Sequence, residues 1–253
     1  MIRLKEAHKQ RFSQQRVGLF VERQVEYILE TDRFHAEHLG EAGIREVVQL
    51  GVKRGRVYQI TRESPLKLYI HLMFYLGSYY DVDPLLPWAR KELVSAAHGN
   101  SQPNRMNALR AEFLKYLRAT SGGHGEHLRC FWKNCVNFIK NPTRLVDKNS
   151  VLDFIKSSYA PYISYSGEAI LCDLIDDCER RVNDAGMRRM DSVLLFAVLR
   201  IIYGAGVAND PLVPWVKKVF EKDSGNKDDL FWKLALEFMK SVERHIDGDP
   251  RLE

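Results

Sequence analysis

Apolar residues recur at three- and four-residue intervals along nearly the whole chain, the spacing of helices buried on one side. Residues 3–29 carry such a pattern, with Phe12, Leu19, Phe20, Val25 and Ile28 on the apolar face. Residues 43–54 form a shorter amphipathic piece that stops near Gly55. Ser64-Pro65 reads as a helix cap followed by proline at the first helical position, where a missing N–H costs nothing, and predicts a helix over 66–76. Asp191 takes the capping place before a similar run further on. Asp83-Pro84 and Asp210-Pro211 read as the starts of helices that carry Trp88 and Trp215 in their first turns. Segments 103–120, 124–141 and 227–246 supply further helices. A brief extended stretch is expected at 57–61, but no sustained alternation calls for a sheet. The expected fold class is all-α.

The pattern also repeats. LYIHLMFYLGSYYDVDPLLPWARKEL at residues 68–93 returns as LFAVLRIIYGAGVANDPLVPWVKKVF at residues 195–220. At the same shift Gly40-Glu41-Ala42 faces Gly167-Glu168-Ala169, and Lys53-Arg54 faces Arg180-Arg181. After a two-residue slip, residues 111–115 face 236–240. The spacing therefore predicts a tandem duplication of a small helical bundle, with two similar halves related by a pseudo-twofold or a screw. The glycine-rich run Ser121-Gly122-Gly123-His124-Gly125 divides them. The expected organisation is a first half over 1–120, a linker over 121–126 and a second half over 127–253.

Composition adds compartment and partner classes. Hydrophobic residues make up 45% of the 253, enough for a sizeable core. The charged start, Met1 to Glu6, lacks the apolar centre of a signal peptide. The most apolar run, 193–208, is broken by Arg200, Gly204 and Gly206 and falls short of the ~20 residues that cross a bilayer. A cytoplasmic protein away from membranes is expected. The net charge of +5 comes wholly from residues 1–127, with 19 Lys and Arg against 14 Asp and Glu, since the remainder balances at 19 each. Arg3, Lys5, Lys9, Arg11, Arg16, Lys53, Arg54 and Arg56 carry much of that excess. Such a face suits nucleic acid or an acidic protein, but no aromatics interleave it, so nucleic-acid binding is the lesser alternative. Cys130, Cys135, Cys172 and Cys178 have no zinc-site spacing and read as buried free thiols.

Motifs for phosphate loops, dinucleotide sites, serine elbows and metalloproteases are absent, and no catalytic residue, metal ligand or cofactor is assigned. Two His-x-x-His pairs, His35 with His38 and His124 with His127, have the spacing of metal ligands on a helix. The first pair faces Tyr162 and Tyr165 in the second copy, and the second straddles the linker, so neither is read as a site. Asp83 keeps its partner Asp210 and reads as a cap, whereas Asp81 does not repeat. Positions where the copies disagree are the candidates for specialised function: Tyr79, Tyr80 and Asp81 against Gly206, Val207 and Ala208, and His71 against Val198. A Tyr-Tyr-Asp loop of this kind, taken as exposed, fits contact with a protein partner better than catalysis.

The first Asp-Pro-x-x-Pro-Trp element and the apolar helix before it, about thirty residues, resemble a pattern in uncharacterised helical bacterial proteins encoded in type VI secretion and polymorphic-toxin gene clusters. The resemblance implies a cytoplasmic protein that handles a toxin. The reading it favours is a non-enzymatic immunity protein that neutralises a cognate toxin or effector through Tyr79, Tyr80, Asp81 and His71. The alternative is an adaptor or chaperone that loads the effector for type VI secretion.

Overall fold

The computed structural model describes residues 6–95, 101–142, 145–221 and 227–248, with side chains described between Gln14 and Glu243. Among the described residues there are twelve α-helices, one short 3-10 turn (Tyr80–Val82) and no strand. The chain is all-α. In the first half α1 (Glu6–Thr31) packs on α2 (Arg33–Val57), followed by α3 (Glu63–Leu76), α4 (Pro87–Val94) and α5 (Gln102–Ser121). In the second come α6 (Glu126–Lys140), α7 (Lys148–Ser158), α8 (Ala160–Ser166), α9 (Glu168–Asp184), α10 (Met190–Tyr203), α11 (Pro214–Glu221) and α12 (Lys227–Gly248). α5 packs against both α6 and α8 and so ties the halves together.

Helix bounds keep one register along the chain. α3 and α10 begin and end 127 residues apart (Glu63 to Met190, Leu76 to Tyr203), as do α4 and α11 (Pro87 to Pro214, Val94 to Glu221). α2 bends at Gly40, φ 61°, and the chain breaks between α8 and α9 at Gly167, φ 85°. Glycines 127 residues apart thus make a kink in one place and a helix boundary in the other, because glycine tolerates positive φ.

Apolar spacing explains what each helix buries. α6 sets Phe131, Trp132, Cys135, Phe138 and Ile139 on one face, a clean amphipathic stripe. α10 is buried continuously from Ser192 to Arg200, and α3 buries Leu66, Tyr69, Ile70, Leu72, Met73 and Leu76, so these two form the centre of their halves. The core falls into two clusters, one per half. Leu85 leaves the first half and is buried in the second cluster, while Leu212, 127 residues later, packs against the first. Burial of Leu85 contributes roughly 1.5–3 kcal/mol and the half-buried Leu212 less, so the exchange couples the halves.

The seam between the halves lies where α3 and α10 end. Gly77 (φ 90°) and Gly204 (φ 82°) cap these helices and bring their backbones together. A Cβ on Gly77 would run into the Tyr203 carbonyl oxygen, and one on Gly204 would lie 2.8 Å from the Leu76 carbonyl oxygen. Two buried aspartates then cross the seam in opposite directions. Asp210 accepts from the Ser78 N–H at 2.7 Å and the Ser78 hydroxyl at 2.6 Å, and Asp83 accepts from the Ala205 N–H at 2.7 Å. Each also holds its own turn, through the Leu85 N–H at 3.0 Å and the Leu212 N–H at 2.9 Å.

Several local expectations are corrected by this arrangement. Asp83 and Asp210 do not open the next helices, which begin at Pro87 and Pro214; their carboxylates serve the facing half instead. Ser64 is not a cap, since α3 starts at Glu63 after Arg62 with no side-chain cap. Asp191 lies inside the first turn of α10 and pairs with Arg189 at 2.6 Å. Residues 57–61 are the helix end and a turn rather than an extended stretch, with Gln59 at φ 56°. Of the four cysteines, Cys135 and Cys178 are buried but Cys130 and Cys172 are exposed; all four are free.

Candidate functional site

Tyr79, Tyr80 and Asp81 follow α3 across the seam, and the structure corrects their expected exposure. Tyr80 is fully buried and Asp81 is 2% exposed. Asp81 sits there because Arg54, on α2, donates from Nε at 3.0 Å and the Tyr58 hydroxyl donates to the Asp81 carbonyl at 3.3 Å. Burial alone would lower the Arg54 pKa, but the Asp81 carboxylate outweighs it and leaves it raised. Burial pushes the Tyr58 phenol up to about 12 and holds Tyr80 well above its usual value, so neither is an acid or base at neutral pH. Tyr79 is half-buried under the Arg54 guanidinium, 4.6 Å from its ring centroid, and its other neighbour is Gly206. Tyr79 and Gly206 are therefore matched in packing: a Cβ on Gly206 would overlap the Tyr79 ring.

His71 is separate from this group. It stacks on Tyr27 of α1 with centroids 5.3 Å apart, and Lys67 Nζ lies 3.5 Å from the Tyr27 ring centroid. Burial lowers the His71 pKa, Lys67 adds to the fall and Asp32 opposes it. The unfolded chain then takes up a proton more readily than the folded one as pH falls through about 6.5, so this contribution to stability is complete above that value and declines below it. Urea unfolding at about pH 7.5 and about pH 5.5 is expected to show a smaller stability difference for His71→Phe, which keeps the stack, than for the parent chain.

The two rings of the first His-x-x-His pair have separate Nδ1 partners. His35 Nδ1 pairs with Asp32 Oδ2 at 2.8 Å, and His38 Nδ1 bonds the Phe34 carbonyl at 2.7 Å. In the linker Glu126 accepts from the His124 N–H at 2.8 Å and the Gly123 N–H at 3.1 Å, bonds that hold its carboxyl down to about 2. Among the described residues no three His, Cys, Asp or Glu side chains group as metal ligands. No described helix is long and apolar enough to cross a membrane.

The basic excess of the first half is interrupted by carboxylates. Arg45 pairs with Glu22 and Glu41, Arg23 with Glu63, Arg33 with Glu37, and Arg54 with Asp81. Arg3 and Lys5, and the side chains of Lys9 and Arg11, lie outside the described residues.

One open cleft in the described structure was not anticipated from the sequence. A cleft of about 410 Å³ lies between the end of α9, the middle of α10 and the end of α11. Met187, Phe196 and Phe220 give it an apolar floor and wall, and Arg181, Asn209 and Lys217 give it polar edges. Ala185 and Ala208 keep it open, since both are small. Arg181 Nε bonds Asp177 at 2.7 Å, and Lys217 pairs with Glu221 at 3.7 Å one turn along α11. A volume of this order holds a side-chain-sized ligand. By contrast, the seam cavity beside Asp83, Tyr162 and Arg200 has about 30 Å³, room for one water. Arg200 itself is 5% exposed and committed to Asp177 at 2.9 Å.

Compared with models of known protein families, with curated proteins and with solved structures, the chain matches none.

Proposed function

We propose that the chain is a non-enzymatic helical protein-binding protein, built from two copies of one helical unit, that acts in the cytoplasm as an immunity protein against a cognate toxin. The observation that carries this reading is the open cleft among α9, α10 and α11, with apolar rings at its centre and cations at its rim. Interfaces are anchored by side chains that fill such pockets, while the surrounding contacts exclude water. Among the described residues the buried Asp81, Asp83, Asp210 and Arg200 each have hydrogen-bond partners within the fold, which fits a structural rather than a chemical use of these charges. The toxin-cluster resemblance of the first Asp-Pro-x-x-Pro-Trp element supplies the class of partner.

The test is survival of cells that express each candidate toxin taken from the genes neighbouring this one. Co-expression of the chain is expected to restore growth, and Phe220→Asp, which puts a charge on the apolar wall of the cleft, is expected to abolish rescue with helix content unchanged by circular dichroism. Growth that is never restored would remove the immunity reading. Capture of the effector without rescue would assign the chain to effector loading instead.

A further inference from the structure

The cleft has a filled counterpart in the first half, and its filling names a ligand. α2 and α9 end at the same register and are followed by the same turn. In the first half the Ile60 N–H bonds the Gly55 carbonyl at 2.9 Å and the Gln59 N–H bonds the Arg56 carbonyl at 3.0 Å. In the second half the Met187 N–H bonds the Val182 carbonyl at 2.9 Å and the Gly186 N–H bonds the Asn183 carbonyl at 2.8 Å. Gln59 and Gly186 both take positive φ, 56° and 80°. The backbone is thus alike, and the difference lies in two side chains. Where the first half has Tyr58 and Asp81, buried together against Arg54, the second has Ala185 and Ala208 beside Arg181. Phe196 stands in the place of Tyr69 as the aromatic neighbour, and Lys217 in the place of Arg90 adds a second cation at the rim.

We propose that the cleft binds an aromatic ring adjacent to a carboxylate, presented by an acidic aromatic segment of the protein partner. The ring would take the place that Tyr58 fills in the first half, against Met187, Phe196 and Phe220. The carboxylate would take the place of Asp81, facing Arg181 and displacing Glu221 from its loose pairing with Lys217. This rests on the protein-binding reading above and names the chemistry of its central contact. Burial of the ring provides the apolar contribution, and the two cations set the sign of the charge that is accepted.

The test uses the whole chain and a minimal probe. Acetyl-Tyr-Asp-amide is titrated into protein labelled at its methionine and alanine methyl groups, with acetyl-Tyr-Asn-amide as the uncharged control. Saturable shifts of the Met187 and Ala208 methyls are expected with the acidic probe, with affinity about fivefold weaker for the control. The double variant Ala185→Tyr and Ala208→Asp installs the first half's own filling and is expected to fold, as judged by circular dichroism and thermal melting, and to lose the probe. Phe220→Ser, which removes part of the apolar wall without filling the cleft, should weaken the probe as well. Absence of shifts at the cleft, or undiminished binding by the refilled variant, would overturn the proposal. The survival assay reads the immunity reading separately. A protective protein whose cleft ignores the probe loses this inference alone, and a cleft that takes the probe in a protein that protects against nothing loses the immunity reading alone.

Discussion

Gly77→Ala is expected to destabilise the fold by about 4 kcal/mol, from strain of roughly 1–3 kcal/mol at a backbone conformation open almost only to glycine plus a comparable cost of overpacking. In thermal unfolding this is a fall of roughly 10 °C or more for a chain of this size. The reason is local and unforgiving. The added methyl at φ 90° meets the Tyr203 carbonyl, and a backbone oxygen in a helix end cannot rotate away as a side chain does. Gly204→Ala meets the Leu76 carbonyl and should behave alike. Gly18, on the exposed side of α1, is the control, since nothing lies within 4 Å of its added methyl. There alanine should stabilise the helix by up to about 1 kcal/mol. An unchanged melting temperature for Gly77→Ala would mean that the two helix ends are not in contact in solution.

Asp210→Ala carries the second large effect, about 3 kcal/mol. It deletes an acceptor that serves three donors and leaves the buried Ser78 N–H and the half-buried Leu212 N–H without it, at roughly 1–3 kcal/mol for each unsatisfied group. Asp83→Ala removes the bonds to Leu85 and Ala205 together with the buried contact to Arg200, and should be destabilising as well. Burial raises both carboxyls above the ordinary 3.8, with their hydrogen bonds opposing it. The folded state therefore holds these protons more tightly than the unfolded chain. Their contribution is complete below about pH 4 and diminishes as pH rises through the raised values, a trend opposite in sign to that of His71. Asp210→Asn keeps the shape but not the second acceptor, so it should fall between the parent and Asp210→Ala and flatten that acidic limb. Denaturant unfolding across pH 3–7 measures both the size and the sign.

The all-helical class, the spacing of the buried stripes and the repeat of the helix, glycine and Asp-Pro-x-x-Pro-Trp order were legible because each copy of them is written in residues close in sequence. The role of Asp83 and Asp210 was not, although both were marked as repeating. An aspartate before a proline looks like the cap of its own helix, and nothing nearby in the chain says that the donors lie 122 and 132 residues away. Tyr80 and Asp81 looked like a loop patch because polar and phenolic groups are commonly exposed; Arg54, 27 residues earlier, is what allows Asp81 to be buried. The cleft escaped notice for a different reason. It is made by what Ala185 and Ala208 lack, and a small residue in a sequence carries no mark of whether its neighbours close in behind it.

The contact between Tyr79 and Gly206 gives the seam a direction. A pair of first halves would set two tyrosine rings where one fits, and a pair of second halves would leave the ring's space with a glycine on each side. Each half is thereby matched to the other and mismatched to itself, so fragments cut at the linker should complement one another in preference to forming homodimers. Drift at this seam is therefore coupled: a residue larger than glycine at position 206 requires the ring at position 79 to move aside or be replaced.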